Sequence, residues 1–288
     1  MARSRKPVQR RIDEALALEA EQARAADATG YMARVLMQTT IPHSRVSESM
    51  VQRSNGTVTI TISNVAGCGL PYGTYPRLLL SWIIIEAVKT QDPLVEFGPT
   101  LSGFMTELGL LPTGGRWGTI HQLRDQMVRL FSSSISCHYS GQDADGSAQL
   151  LVARDYELWW DPKKPDQAAL WGSTVRLSTD FFNELVKSPV LLSMNALRSL
   201  KQSPMALDVY CWFVYRYRYL QRVTTMPWEA LFLQFGDGFP DTPAGLQGFR
   251  KQFRQAAERV ALVLPSARFD SDRYSLTLIP PKTAAHGS

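Results

Sequence analysis

Only three cysteines occur in this chain of 288 residues: Cys68, Cys137 and Cys211. They are too few and too widely spaced for a metal framework, and an odd number argues against a disulfide scaffold. A buried, reduced thiol is the plainer reading of each and suits a cytoplasmic protein. Long apolar runs are missing too. The most apolar stretch, Leu78 to Ile85, falls far short of the ~20 residues that a membrane helix needs. The basic N-terminus has no apolar core behind it, so it does not read as a secretory signal. Histidine is scarce, and His43, His121, His138 and His286 stand apart with no H-x-H or H-E-x-x-H spacing to hold a metal. That spacing also argues against a rolling-circle nickase, which needs metal-binding histidines beside a nucleophilic tyrosine. No G-x-x-x-x-G-K-[ST] loop is present for an ATPase, and no paired Asp/Glu cluster stands out. The expectation is a protein that is not an enzyme and needs no cofactor or metal.

The composition itself is ordinary: 44% of residues are apolar and 20% charged, enough for a packed core, and the length allows two domains. A net charge of +5 and a pI near 9.1 lean modestly toward polyanionic partners. More informative is a self-similarity at an offset of 130 residues. Trp82 falls opposite Trp212, Gly118 opposite Gly248, Gln122 opposite Gln252, Arg124 opposite Arg254 and Arg129 opposite Arg259. In both stretches a Trp-centred apolar helix is followed by a short helix and then by a basic amphipathic one.

Local signals fill in that order. Val58, Ile60 and Ile62 alternate with Thr57, Thr59 and Thr61, the period of a strand. A long helix from about Tyr75 to Asp92-Pro93 is apolar around most of its circumference and belongs at the centre of its domain. Leu101–Leu108 reads as a short helix ended by Gly109. Pro112 to Gly118 forms a turn into a helix over about Thr119–Phe131, with Ile120, Leu123, Met127 and Leu130 as its apolar stripe. Ile135–Tyr139 and Leu150–Trp160 look like a hairpin around residues 141–146. Asp161 to Asp166 has a linker's composition. Beyond it lie a strand at Thr174–Leu177 and a short helix at Thr179–Val186. A second central helix opens at Pro204, another short helix at Pro227, and a last helix spans Leu246–Val260. A hairpin around Asp270-Ser271-Asp272-Arg273 closes the series. Three helices closed by a hairpin make a winged helix. The fold class expected is therefore α+β with two tandem winged-helix domains at 31–165 and 166–280. A basic, partly helical tail at 1–30 precedes them and a disordered tail at 281–288 follows.

The strongest functional signal is the polar face of the last helix, where Gln247, Arg250, Lys251, Arg254, Gln255 and Glu258 recur at three and four residues. Arginine can bond guanine O6 and N7 together and glutamine can pair with adenine in the major groove. Phosphate attraction supplies affinity around such contacts. A solvated basic face is the alternative. Thr113, Arg116, Gln122, Arg124 and Arg129 around the helix at 119–131 suit supporting phosphate contacts, with backbone N–H groups of Gly114-Gly115. Lys163 and Lys164 in the linker, and Arg268 and Arg273 around the last hairpin, are further phosphate candidates. The aromatic run Trp212–Tyr219 reads as core rather than as a single-strand stacking platform.

Leu80-Ser81-Trp82-Ile83-Ile84-Ile85, then Glu107-Leu108-Gly109 and Pro112-Thr113-Gly114-Gly115-Arg116-Trp117-Gly118, resemble the plasmid-encoded RepA replication initiators. So do Ser203-Pro204-Met205-Ala206-Leu207-Asp208-Val209-Tyr210, Gln234-Phe235-Gly236 and Phe249-Arg250-Lys251-Gln252-Phe253. The resemblance spans roughly residues 40–280. It implies a DNA-binding initiator that recognises direct repeats (iterons) at an origin, opens nearby duplex and recruits a host initiator and helicase. It also implies that the second winged helix is the principal base reader, while the first makes phosphate contacts and a possible homodimer contact. A cytoplasmic location beside plasmid and nucleoid follows. A transcriptional repressor of the same fold, or a protein-interaction adaptor with solvated basic faces, are the other readings.

Overall fold

A computed structural model describes residues 40–54, 58–64, 66–115, 117–140, 145–159, 166, 172–187, 191–236 and 238–281. The expected N-terminal tail, most of the 161–166 linker and the end of the chain lie outside them. The described residues form eight helices and ten strands in small antiparallel sheets. Each half runs helix, short strand, helix, helix and then strands.

In the first half, β1 (Met50–Ser54) and β2 (Val58–Ser63) precede α1 (Thr74–Thr90). After it come β3 (Leu94–Glu96), α2 (Leu101–Glu107) and α3 (Thr119–Phe131). Helix α1 buries Leu78, Leu79, Leu80, Trp82, Ile83, Ile84 and Ala87, as expected of a helix apolar on most sides. Trp82 meets Phe97 at 5.7 Å and Phe104 at 4.9 Å between ring centroids, and Phe97 reaches Phe131 at 6.1 Å. These rings seat α2 and α3 on α1. Their offset and edge-on geometry is the one aromatic pairs favour.

The two strands expected after α3 are three. β4 (Ser134–Ser140) and β5 (Asp145–Leu151) form a hairpin that joins β1 and β2 in a four-stranded sheet of order β1-β2-β4-β5. β6 (Ala153–Glu157) leaves for another sheet. Val152 at the crossing is fully buried and its carbonyl accepts from the Ser178 N–H at 3.3 Å, so the chain switches partners where it dives into the core.

β7 (Thr174–Leu177) departs from the expected boundary. The linker composition upstream places it in the second unit, yet it pairs with β3 on one side and β6 on the other. Helix α4 (Thr179–Lys187) likewise packs on α1. Val175 and Leu177 face the first half's core and are essentially unexposed; burial of that apolar face, rather than the proline-rich composition upstream, places the strand.

The second half begins in earnest with α5 (Met194–Leu200), which sequence patterning did not disclose, and α6 (Pro204–Tyr219). β8 (Thr224–Pro227), α7 (Trp228–Phe235), α8 (Pro243–Val263), β9 (Arg268–Ser271) and β10 (Ser275–Ile279) complete it. The last three strands form a sheet of order β8-β10-β9. Trp212 on α6 meets Phe235 of α7 and Phe253 of α8. The buried residues of the two halves form one continuous apolar cluster.

The first helices start 130 residues apart (Thr74, Pro204), the second 127 apart (Leu101, Trp228) and the third 124 apart (Thr119, Pro243). The constant offset read from the sequence therefore aligns only the Trp helices. Gly118 and Gly248 illustrate the slip. A Cβ at Gly118 would sit 2.2 Å from the Thr113 carbonyl oxygen, whereas one at Gly248 would meet nothing nearer than 3.6 Å.

Candidate nucleic-acid interface

Helix α8 starts cleanly because the Thr242 hydroxyl accepts from the Gly245 N–H at 3.1 Å and Pro243 occupies the first turn, where its missing N–H costs nothing. Phe249, Phe253, Ala256, Ala257 and Val260 form its buried stripe. Phe249 and Phe253 stack edge-on against Trp228 at 6.5 and 5.9 Å. With that face fixed, Gln247, Lys251, Gln255 and Glu258 stand exposed on the other.

Arg250 and Arg254 behave differently. Both are half-buried and turned toward the β9–β10 hairpin turn. Arg250 Nη1 donates to the Arg273 carbonyl at 2.6 Å, and Arg254 Nη2 donates to the Asp272 carbonyl. The Arg254 guanidinium lies over the Trp228 ring at 5.4 Å. Trp228 Nε1 donates to the same Asp272 carbonyl at 3.0 Å, and the Trp228 N–H donates to the Tyr274 carbonyl at 3.1 Å. Asp272 organises the turn with its side chain, its Oδ1 accepting from the N–H groups of Tyr274 and Ser275 at 2.7 Å each. Those backbone donors, the Tyr274 N–H foremost, hold its carboxyl below the usual carboxylate range. The turn is thus pinned to α8 by two arginines and to α7 by a tryptophan, and Arg273 is carried exposed at its tip with its guanidinium 4.4 Å from the Tyr274 ring centroid.

Asp272 and Trp228 were not among the expected site residues. The aspartate in a turn between two apolar runs was the available signal; the Trp228 contact spans 44 residues of sequence and leaves no local trace. Arg268 is exposed at the end of β9 remote from the turn, and its carbonyl accepts from the Tyr217 hydroxyl. Burial pushes that phenol's pKa well up.

On α3 the candidates separate as well. Gln122 and Arg124 are exposed, Gln122 donating to the Trp117 carbonyl at 3.0 Å. The Thr113 hydroxyl, on the loop before the helix, accepts from the Thr119 N–H at 3.0 Å. Arg129 is 9% exposed, donating from Nε to Asp125 at 2.7 Å and from Nη1 to the Leu70 carbonyl at 3.3 Å. That guanidinium is spent inside the fold, which corrects its expected role in phosphate contact. Arg116, Lys163 and Lys164 lie outside the described residues.

A family model described as plasmid-encoded RepA protein matches residues 70–230, more than half of the chain. The chain belongs to the plasmid-encoded RepA family. Membership makes it a replication initiator protein. A crystal structure of domains 2 and 3 of RctB resembles this RepA-family chain with a TM-score of 0.56 at 12% identity, covering 85% of this chain and 96% of that one. A second structure of the same two domains, from a selenomethionine derivative, gives a TM-score of 0.55 at 12% identity, covering 84% and 94%. At such identity the likeness concerns the fold alone. No curated protein matches the sequence. Among the described residues, this RepA-family chain has no helix long and apolar enough to cross a membrane.

Proposed function

We propose that this protein initiates plasmid replication by binding repeated duplex sites at the origin through two winged helices, α8 being the principal reader. The observation that carries this reading is the division of labour on α8. A Phe-backed helix presents Gln247, Lys251 and Gln255 outward while Arg250 and Arg254 brace a turn tipped by Arg273. Helix and turn together carry exposed Lys251 and Arg273 beside the glutamines, a combination suited to a major groove and its flanking phosphates. The strand order β8-β10-β9, closing over three helices, supports the winged-helix assignment of the second half. The first half has the same helix order, with Gln122 and Arg124 as its outward groups, and we assign it supporting phosphate contacts.

Binding tandem sites deforms DNA at a cost that added contacts offset, which favours opening of an adjacent A+T-rich segment. Recruitment of a host initiator and helicase, and a homodimer made through the first half, complete the proposal. The experiment is a mobility shift on origin fragments carrying direct repeats of ~20 base pairs, about two turns of duplex. Lys251→Ala should weaken binding to cognate and random duplex alike, and Gln255→Ala should lower the preference for the repeat. Affinity should fall steeply with salt. Salt-independent binding, or none, refutes the assignment. A plasmid that keeps the repeats but lacks the gene should fail to replicate; replication without the gene would leave only a repressor.

A further inference from the structure

Two arginine–carboxylate and arginine–carbonyl clusters join the halves. Arg77 on α1 and Asp208 on α6 are both fully buried. Arg77 Nε donates to Asp208 Oδ1 at 2.7 Å and Nη2 to Asp208 Oδ2 at 3.0 Å. The remaining N–H groups go to the carbonyls of Ile41 at 2.6 Å, Gly73 at 2.8 Å and Pro42 at 3.3 Å. All five donors of the guanidinium are thereby satisfied. His43 Nε2 lies 2.8 Å from Asp208 Oδ2 on the side nearer solvent.

The second cluster sits at the carboxyl end of α2, where helix carbonyls lack intrahelical partners. Arg198 of α5 donates from Nε to the Glu107 carbonyl at 2.7 Å, and Lys201 Nζ donates to the Gly109 carbonyl. Gly109 permits this approach. It has φ +73°, and a Cβ there would lie 2.8 Å from Arg198 Cγ.

A bidentate fork meets a carboxylate in one geometry, and neither partner of a buried pair can leave without stranding the other's charge. The carboxyl end of α2 leads through residues 110–118 into α3, while α6 packs directly on α8. Each proposed reading helix is therefore one element removed from a clamp.

We propose that Arg77, Asp208, Arg198 and Lys201 are positioning residues that lock α3 and α8 into a single rigid reader. The protein then measures the separation of its two contacts on duplex DNA in addition to recognising each. This rests on the DNA-binding function proposed above.

The probe is one repeat from the origin, with its two protected segments mapped by footprinting, compared with the same repeat carrying an insertion of about five base pairs between them, roughly half a turn. Wild-type affinity should drop by at least tenfold on the inserted repeat, about 1.4 kcal/mol. In Arg198→Ala/Lys201→Ala, whose side chains are only half-buried, the penalty should shrink to about twofold, around 0.4 kcal/mol. Asp208→Asn should do the same if circular dichroism shows it folded; if it is not folded, the double variant decides. Wild-type indifference to the insertion, or an unchanged penalty in the folded variants, overturns the proposal. A readout without DNA separates this from failure of the DNA-binding assignment. Spin labels at Arg154 and Leu262, with the native cysteines replaced by alanine, should give a narrow distance distribution that broadens in Arg198→Ala/Lys201→Ala. An equally narrow distribution in that variant would refute the lock even if no duplex bound.

Discussion

Replacing Arg254 by alanine distinguishes an anchor of the hairpin turn from a reader of bases. The substitution removes the hydrogen bond from Nη2 to the Asp272 carbonyl and the guanidinium over the Trp228 ring at 5.4 Å. A hydrogen bond from a charged donor contributes roughly 1.5–3 kcal/mol, toward the lower end here because the side chain is half-buried. A partly exposed cation–π contact adds about 0.5–1 kcal/mol. The loss in folding stability should therefore be about 2 kcal/mol, read from urea unfolding followed by circular dichroism. Trp228→Phe keeps an aromatic six-membered ring but deletes the Nε1–H donor to the same carbonyl together with part of the buried indole. The two substitutions share one acceptor, so the double variant should be less destabilised than the sum by about 0.5–1.5 kcal/mol. On DNA, both single variants should weaken cognate and random duplex together, because a displaced turn carries Arg273 away from the phosphate contact proposed for it. The reasoning fails if Arg254→Ala unfolds within ~0.5 kcal/mol of wild type, the range of an uninvolved surface change, while its preference for the repeat collapses. Arg254 would then be reading a base.

Other outcomes follow from the same geometry. Phe253→Ala empties a fully buried site ringed by Trp212, Trp228, Phe235 and Phe249; it should cost about 3–5 kcal/mol in urea unfolding. Arg124→Ala should lower the slope of log affinity against log salt by about one without affecting stability. Arg129→Ala should leave that slope alone and lower stability, since its groups are turned inward. Asp272 has a folded pKa below its ordinary value near 3.8, so its stabilising effect is complete above that value and is lost as pH falls through the depressed one. Unfolding measured between pH 6 and pH 2 should show a steeper acid loss in wild type than in Asp272→Asn; parallel profiles would remove the carboxylate from the turn's support.

Much of the helix order was legible because it is written in local patterns. The apolar circumference of α1 and α6, the buried Phe249 and Phe253 of α8 and the proline in the first turn of α6 depend on residues a few positions apart. Long-range pairing was not. β7 carries the same alternation whichever sheet receives it, and only the buried gap between β3 and β6 decides. Arg129 and Arg259 look equivalent at a fixed offset, yet Arg129 has Asp125 one turn before it and a carbonyl to meet, and Arg259 is exposed. The spacing of Arg250 and Arg254 sets them apart from the buried Phe249 and Phe253, but the bend of the hairpin over them, which takes up their donors, leaves no mark in the sequence. Composition likewise gave no hint that Arg77 and Asp208, 131 residues apart, would meet.

The path of β7 constrains how this chain can be divided. It is the middle strand of its sheet, arriving from beyond the proline-rich segment to fill a slot between two earlier strands. A polypeptide ended at residue 165 would leave β3 and β6 with bare N–H and C=O rows facing each other across an empty lane, an invitation to intermolecular pairing. Evolutionary shuffling or gene fission at that point is accordingly disfavoured, and a viable break in the chain belongs after α4.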